Sequence, residues 1–218
     1  MTLSESVERI VLVSDICSST RFLLDLQGHR HVRWWADFMT KYSEEMWPSL
    51  RRHNVQTYKF QGDGWIYLLD TGLEYGHFVQ LLRDLVAAFY MTFDLHVTRR
   101  LSFAADPKRL TFGADRGEIS AIRVGGAAEW VGRPLNVACR LQGAIKDPPP
   151  AAKNLGHPYH NQALLSPRLD KQWNAVDILG QVKVHRVRRT LRNIAGSDYT
   201  DVPKLSLLGP FNPQPKRR

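Results

Sequence analysis

Two aspartates lie directly after apolar stretches that predict strands. Asp15 follows the strand predicted over residues 8–14, and Asp63 lies in a Gly-Asp-Gly turn after the strand predicted over residues 55–60. Carboxylates at neighbouring strand ends can converge on a hard divalent cation such as Mg²⁺ or Mn²⁺, which prefers oxygen ligands and leaves positions open for phosphate oxygens. The two aspartates are therefore candidate metal ligands.

A helix is predicted to begin just after Asp15, where unpaired backbone N–H groups attract anions. The hydroxyl residues of this turn are candidate phosphate-binding residues: Ser18, Ser19 and Thr20. Both motifs also have a structural interpretation, since Asp before Ser-Ser-Thr often caps a helix and Gly-Asp-Gly often forms a hairpin turn. Taken singly, each motif favours that structural interpretation, and a third segment reverses the balance.

The third segment, residues 113–142, carries Asn136 and Arg140 four positions apart, so a helix displays both side chains on one face. An amide and a guanidinium displayed together can orient a ribose ring and stabilise charge on a phosphate. A solvated helix face is the alternative interpretation of this pair. Together, the three segments predict a site for a metal ion and a nucleoside triphosphate.

The hydrophobic pattern predicts an alternation of strands and helices. The predicted helices are amphipathic and cover residues 18–53, 74–97 and 134–146. The predicted strands cover residues 8–14, 55–60, 64–70, 109–114, 118–124, 162–166, 182–191 and 203–208. The fourth and fifth strands are expected to form a hairpin through Asp115, Arg116 and Gly117. This order predicts an α+β fold with a ferredoxin-like, antiparallel-rich sheet and helices on one face.

Composition narrows the class of protein. The chain has 218 residues, of which 43% are hydrophobic and 23% charged, as expected for one globular domain. No apolar run approaches the ~20 residues needed to span a bilayer, and no signal-peptide pattern is present, so a cytoplasmic protein without a membrane partner is expected. Cys17 and Cys139 cannot form a disulfide framework and are expected to be reduced.

The net charge of +9 suggests a nucleic-acid partner, but the basic residues are scattered, apart from residues 185–192 and a Pro-rich tail at residues 209–218. A positive pocket for a polyanionic small molecule explains the charge equally well. A nucleic-acid-binding domain would cluster basic and aromatic residues on one face, and the sequence has no such cluster. Residues 1–208 are expected to form the functional domain, with no nucleic-acid partner.

The three segments, in order, resemble those of the class III nucleotidyl cyclases, the adenylate/guanylate cyclase catalytic domain. Residues 15–20 match the first metal-aspartate motif of that family, and residues 59–63 match the second. Residues 113–117 resemble its glycine-bounded strand end, and residues 132–141 resemble its transition-state segment. Three ordered motifs with matched spacing are far more specific than any one of them.

The resemblance implies a role for each residue. Asp15, Asp63 and the backbone carbonyl of Ile16 would hold two divalent ions, Mn²⁺ or Mg²⁺, while Asn136 would orient the ribose and Arg140 would neutralise charge on the α-phosphate. In the family a further cation near the C-terminus grips the β- and γ-phosphates, and Arg192 is the nearest match. A surface position for this arginine is an equal alternative. The resemblance also implies a head-to-tail homodimer, because metal ligands and the Asn/Arg pair of one site come from different chains.

The family also indicates which residues contact the base: here they are Lys59 and Glu129. This pair resembles the Lys and Asp of adenylate cyclases, which favours adenine, whereas guanylate cyclases carry a Glu and a Cys-like residue. The longer Glu129, together with Tyr58 and Trp130 beside the pair, would shrink the pocket towards a single-ring base, so Tyr58 is a third predicted base-contacting residue. UTP, which would give cyclic UMP, is therefore predicted ahead of CTP.

The short chain, which has no sensor or transmembrane module attached, resembles the stand-alone pyrimidine cyclases of bacterial antiphage (Pycsar) systems. That resemblance implies a second messenger for antiviral defence, sensed by a separate effector protein. An adenylate cyclase making cyclic AMP is the first alternative. A catalytically inactive nucleotide-binding module is the second, although inactive copies commonly lose at least one of Asp15, Asp63, Asn136 and Arg140, and all four are present.

Overall fold

The computed structural model describes residues 6–105, 108–145, 161–191 and 198–208. Over these residues the strands are β1 (Ser6–Ile16), β2 (Gln56–Phe60), β3 (Gly64–Leu69), β4 (Leu110–Val124), β5 (Ala127–Val131), β6 (Gln162–Leu165), β7 (Val182–Thr190) and β8 (Asp198–Leu207). The helices are α1 (Ser19–Gly28), α2 (Val32–Arg52), α3 (Tyr75–His96), α4 (Arg133–Gly143) and α5 (Pro167–Trp173), with one 3₁₀ turn at Thr98–Arg100.

The described strands form a single sheet in the order β2-β3-β1-β4-β6-β8-β7, and β5 pairs with β4. Strand β1 lies between β3 and β4 and is antiparallel to both, whereas β4 and β6 are parallel. The register places Asp15 opposite Gly64 of β3 and opposite Thr111 of β4. The end of β1 therefore meets the β2–β3 turn on one side and the start of β4 on the other.

Alternate residues of β1 face two different helical layers, as the two-residue period of a strand requires. Ile10 and Leu12 belong to the main core, which the buried faces of α1, α2 and α3 complete. Val11 and Val13 point the other way and pack in a second cluster against Leu135 of α4. The predicted α+β class is confirmed. Helix α4 adds a layer on the opposite face, which the expectation of helices on one face did not include.

The helix predicted over residues 18–53 is two helices, α1 and α2. The chain turns between them at residues 29–31, where Arg30 adopts a left-handed backbone conformation with a φ of 61°. Apolar residues recur at helical spacing on both sides of this turn, so periodicity alone did not reveal the break. Trp35 and Phe38 of α2 are buried in the main core.

The hairpin predicted through Asp115, Arg116 and Gly117 is wrong, because β4 runs without interruption through these residues. The Asp115 side chain is completely buried and forms an ion pair with Arg133 at 3.5 Å. This aspartate therefore makes a tertiary contact and does not mark a turn. The actual hairpin joins β4 to β5 through Gly125 and Gly126, whose φ angles are 57° and 86°. Two consecutive positive φ angles favour a Gly-Gly pair.

Most other predicted elements are confirmed, with ends that differ by a few residues, and β5 and α5 were not predicted. Within the described part of the chain, no helix combines the length and apolar character needed to cross a membrane. Two predictions concern residues that lie outside the described part of the chain: Arg192 and the tail at residues 209–218.

Candidate active site

The structure brings Asp15 and Asp63 together at the end of β1. The β1–β3 register sets Asp15 opposite Gly64, and Asp63 is the residue before it, so the two carboxyl groups lie within hydrogen-bonding reach of each other. A Cβ atom at Gly64 would lie 2.1 Å from the Ser14 carbonyl oxygen, so only glycine allows the turn to approach β1 this closely. The Ser19 hydroxyl donates a hydrogen bond to Asp63 and holds that carboxylate in place.

The electrostatics of this pair favour a cation. Burial, and then the neighbouring Asp63, raise the pKa of Asp15 to about 7, while a hydrogen bond from Gln142 acts in the opposite direction. In the described part of the chain, neither carboxylate forms an ion pair with a lysine or arginine. A divalent ion would supply the missing positive charge, and carboxylate oxygens are the ligands that Mg²⁺ and Mn²⁺ prefer.

The described residues contain no group of three or more His, Cys, Asp or Glu side chains arranged to hold a metal. The pair supplies two carboxylates, so any further ligands have to be backbone carbonyls, water or substrate oxygens. The Ile16 side chain is a hydrocarbon packed in the core, so the backbone carbonyl is the only group of this residue that could bind a metal. The donors present therefore fit a hard divalent cation that also binds a phosphate-containing ligand.

The predicted phosphate-binding turn lies beside the pair. Ser18 precedes α1 with a φ of 65°, and no side chain caps the first turn of this helix. Its leading N–H groups are therefore available to an anion. Ser19 is buried and its hydroxyl is used by Asp63, whereas Thr20 is exposed.

The three predicted base-contacting residues meet in one hydrogen-bond network. The Lys59 ammonium donates to one carboxylate oxygen of Glu129 at 2.8 Å, and the Tyr58 hydroxyl donates to the other. The Trp130 backbone N–H in turn donates to the Tyr58 hydroxyl at 2.9 Å. The hydrogen bond from Lys59, and then that from Tyr58, lower the pKa of Glu129, so this carboxylate is a charged acceptor at neutral pH.

This network lines a cavity of about 390 Å³ between β2 and the β4–β5 hairpin. Asn136 of α4 lines the same cavity, so the predicted ribose and base contacts lie together. The cavity rim is apolar and open, since Val124 is 55% exposed and Val131 is 42% exposed. An aromatic base stacked on this rim would bury apolar surface on both sides.

Helix α4 displays the two predicted catalytic side chains towards solvent. Asn136 and Arg140 are both exposed, and neither has a hydrogen-bond or ion-pair partner among the described residues. An ion pair between the partly exposed Arg133 and the buried Asp115 anchors the N-terminus of the helix to β4. A Cβ atom at Gly132 would lie 2.6 Å from the Glu118 carbonyl oxygen, which keeps α4 close to β4. The pair is thus held rigidly and is free to contact a ligand.

A second cavity, of about 680 Å³, adjoins the first along α4, because Cys139 lines both. Arg140, Arg188 and Arg189 line it. The Arg189 guanidinium donates to the Ala144 carbonyl at 3.1 Å, which fixes it against the end of α4. Arg188 and Arg189 are not among the predicted site residues, although residues 185–192 form a basic stretch in the sequence.

Positive charge is in excess near this second cavity. Lys204 of β8 is half-buried, and burial, then Arg189 and Arg109, lower the pKa of its ammonium group. Lowering by neighbouring arginines shows that cations are crowded here. A bound polyanion such as a triphosphate would relieve this crowding.

Gln142 and Thr111 are the other residues that sequence analysis missed. The Gln142 amide donates to the Asp15 carboxylate at 3.2 Å and to the Thr111 hydroxyl at 2.9 Å. These contacts depend on the packing of α4 against β4. No local pattern in the sequence indicates them.

Comparison with known proteins identifies the fold. No protein-family model and no curated protein matches the sequence. The crystal structure of the guanylyl cyclase Cya2 matches with a TM-score of 0.59 and 16% identity, over 94% of this chain and 93% of that chain. The adenylyl cyclase CyaB from P. aeruginosa matches with a TM-score of 0.62 and 16% identity, over 94% and 96%. Adenylate cyclases from Trypanosoma brucei in their monomeric state match with a TM-score of 0.60 and 16% identity, over 94% and 90%.

The chain therefore has the fold of the class III nucleotide cyclase catalytic domains, as its motifs predicted. These neighbours include adenylyl and guanylyl cyclases, so the fold is shared by enzymes named for two different bases. The shared fold therefore does not by itself indicate a substrate.

The raised pKa of Asp15 predicts that the free energy of unfolding of the metal-free protein depends on pH. An unfolded aspartate has a pKa of about 4, so between that pH and about 7 the folded Asp15 binds more protons than the unfolded one. Stability is therefore lost as the pH rises through this window. We expect Asp15→Asn to raise the melting temperature at pH 8 in EDTA and to change it little at pH 4.5.

Thermal unfolding of both proteins at several pH values measures this effect, with Asp37→Asn, a partly exposed acid on α2, as the control. If the melting temperatures of Asp15→Asn and wild type differ by the same amount at pH 4.5 and at pH 8, ionisation of Asp15 does not destabilise the fold. Saturating Mn²⁺ should stabilise the wild type at pH 8 and leave Asp15→Asn almost unchanged.

Proposed function

We propose that this chain is a nucleotidyl cyclase that converts a nucleoside triphosphate into its 3′,5′-cyclic monophosphate and pyrophosphate. The observation that carries the proposal is the adjacent Asp15–Asp63 pair, which lacks a cationic partner in the described part of the chain. The cyclase fold supports it. In the reaction the ribose 3′ oxygen attacks the α-phosphorus and gives up its proton to solvent. The bond between the α-phosphorus and the oxygen that bridges it to the β-phosphorus breaks, which releases pyrophosphate.

Asp15, Asp63 and the Ile16 carbonyl would hold two divalent ions, Mn²⁺ or Mg²⁺. When bound, such ions lower the pKa of a hydroxyl and neutralise charge on a triphosphate. The protein's own residues do the remaining work. Asn136 orients the ribose, and the Arg140 guanidinium hydrogen-bonds the α-phosphate as charge builds on it.

The phosphate tail is proposed to lie along the second cavity, where Arg188 and Arg189 join Arg140. Arg192 remains a proposed contact to the β- and γ-phosphates, close in sequence to both arginines. Ser18, Ser19 and Thr20 contribute backbone N–H groups at the start of α1. Positive charge from two elements would thus face a substrate with several negative charges.

The active unit is proposed to be a head-to-tail homodimer. Asp15 and Asp63 line neither of the two cavities along α4, so one chain carries a metal half and a separate nucleotide half. Apolar residues are exposed around the nucleotide half, among them Phe60, Ile122, Val124 and Val131. A partner chain placed over them would bury this surface and bring its metal half to the nucleotide.

UTP is the proposed substrate, with ATP as the alternative. Tyr58 and Trp130 stand beside Lys59 and Glu129, and the Tyr58 hydroxyl is held by two hydrogen bonds, so its ring cannot easily leave the cavity. Uracil offers carbonyl acceptors to Lys59 and an N3–H donor to Glu129. Adenine can also pair with this Lys and Glu, which is why an adenylate cyclase is the second candidate.

The biological role proposed for the product is that of a second messenger in antiviral defence, sensed by a separate effector protein in the cytoplasm. Its support is the resemblance to the Pycsar pyrimidine cyclases. Residues 1–208 are proposed to form the catalytic domain. An inactive nucleotide-binding module is disfavoured because Asp15, Asp63, Asn136 and Arg140 are all present and the first two are adjacent.

The purified protein, incubated with each of the four nucleoside triphosphates and Mn²⁺, should release a cyclic nucleotide and pyrophosphate, which mass spectrometry identifies. Asp63→Ala should lower the rate by several orders of magnitude, because metal stabilisation of the transition state is worth several kcal/mol. Asp37→Ala is the matched control and should keep full activity. Activity of Asp63→Ala within tenfold of wild type would contradict the metal assignment.

Shared active sites predict complementation between chains. Asp63→Ala and Arg140→Ala should each be inactive alone, while their mixture should regain activity, because each heterodimer contains one intact site. The expected maximum is about one quarter of the wild-type rate, since half of the randomly formed dimers are heterodimers with one site each. A mixture as inactive as its parents, despite demonstrated subunit exchange, would place each site within one chain.

The base proposal predicts a higher kcat/KM for UTP than for ATP or GTP. Leaving one buried donor or acceptor unpaired costs about 1–3 kcal/mol, which corresponds to roughly 5- to 150-fold discrimination. Tyr58→Ala should enlarge the cavity and raise relative activity on purines, while Tyr58→Phe separates the effect of the ring from that of its hydroxyl. A wild-type kcat/KM that is higher for ATP than for UTP would assign the chain to the adenylate cyclases.

A further inference from the structure

Gln142 links α4 to the metal half of its own chain. Its amide nitrogen lies 3.2 Å from the Asp15 carboxylate oxygen and 2.9 Å from the Thr111 hydroxyl oxygen. An amide has two N–H groups, so it can serve both acceptors at once. The Thr111 hydroxyl also lies 3.4 Å from the Asp15 backbone carbonyl oxygen, so the three residues form a closed set.

The packing of α4 against β4 fixes the position of this amide. A Cβ atom at Gly113 would lie 2.1 Å from the Ala138 carbonyl oxygen and 2.3 Å from the Gln142 backbone nitrogen. Only a glycine at this position lets the helix approach so closely. Because β1 pairs with β4 in the register that sets Asp15 opposite Thr111, the Gln142 side chain meets both residues.

A neutral donor suits this position. The Gln142 amide can restrain one oxygen of the Asp15 carboxylate without adding a positive charge beside the metal ligands. A lysine or arginine here would form an ion pair with Asp15 and would compete with a divalent cation. Hydrogen-bond partners of this kind orient metal ligands, and their loss typically lowers metal affinity 10- to 100-fold.

The position of Gln142 on α4 indicates which of the two proposed active sites it serves. Asn136 and Arg140 project from the exposed face of α4, whereas Gln142 is half-buried and points to Asp15. In the proposed homodimer, Asn136 and Arg140 serve metals bound by the partner chain. Gln142 would instead act on metals bound by its own chain, so the two faces of α4 belong to different active sites.

We propose that Gln142 is a positioning residue for the metal half of its own chain, where its amide holds the Asp15 carboxylate ready for a divalent cation. The inference rests on the proposed cyclase function for its metal chemistry. Gln142 does not contact substrate in this role and acts through Asp15 alone.

The direct test is Mn²⁺ binding without nucleotide, followed by electron paramagnetic resonance of the free ion. Gln142→Leu removes both donors at similar side-chain volume, and we expect its Mn²⁺ affinity to fall at least about tenfold. Arg140→Leu, on the exposed face of the same helix, should keep wild-type affinity. Gln142→Met serves as a second variant if the leucine disturbs folding, as judged by the metal-free melting temperature.

Equal Mn²⁺ affinity in wild type and in folded Gln142→Leu or Gln142→Met would overturn the inference. This measurement is independent of turnover. If the wild type makes no cyclic nucleotide but loses Mn²⁺ affinity through Gln142→Leu, the cyclase proposal fails and the positioning role stands. If the wild type is active and the variants bind Mn²⁺ normally, the positioning role fails and the cyclase proposal stands.

Heterodimers then test which site Gln142 serves. In a mixture of Asp63→Ala and Arg140→Ala chains, the intact site takes its metal ligands from the Arg140→Ala chain and its arginine from the Asp63→Ala chain. Gln142→Leu placed in the Arg140→Ala chain should lower the restored activity and raise the Mn²⁺ requirement. The same change in the Asp63→Ala chain should have little effect, and the reverse pattern would assign Gln142 to the partner's site.

Discussion

The register of β1 against its two neighbours determines where the charged groups of the candidate site lie. Pairing with β3 sets Asp15 opposite Gly64 and so beside Asp63, and pairing with β4 sets it opposite Thr111 and so beside Gln142. A slip of one residue would exchange the two faces of β1. Ile10 and Leu12 would then leave the main core, and the Asp15 side chain would point into it. Core burial thus enforces the geometry of the site.

The Asp15–Asp63 pair is locally unfavourable, and the packing of the rest of the fold keeps the two carboxyl groups together. Two adjacent carboxylates, one of them with its pKa raised to about 7, destabilise the metal-free protein at neutral pH. The arrangement persists because β1 is buried on both faces and the β2–β3 turn is fixed by Gly64. Such conflicts concentrate at functional sites, where a ligand resolves them.

Local chemistry in the sequence was enough to predict the strand ends that carry Asp15 and Asp63, the hairpin between β2 and β3, and the helix that carries Asn136 and Arg140. Local chemistry did not predict the position of a residue whose contacts are with residues far away in the sequence. Asp115 is of a residue type common in turns, but it lies buried within β4. There it forms an ion pair with Arg133, eighteen positions later in the chain. The Gln142 contacts and the cavity lined by Arg188 and Arg189 depend in the same way on packing. The roles of all these residues in catalysis remain predictions.

The distribution of charge on one chain also bears on assembly. The acids of the candidate site, Asp15 and Asp63, lie at the end of β1, whereas its arginines, Arg140, Arg188 and Arg189, line the cavity beside α4 and β7. Within the chain, α4 contacts Asp15 through the neutral amide of Gln142 and not through a cationic side chain. In the proposed head-to-tail homodimer, the acidic pair of each chain would face the arginines of the other. A triphosphate with its metal ions would then bridge the acids and the arginines, so that neither chain alone could satisfy the charges that the other presents.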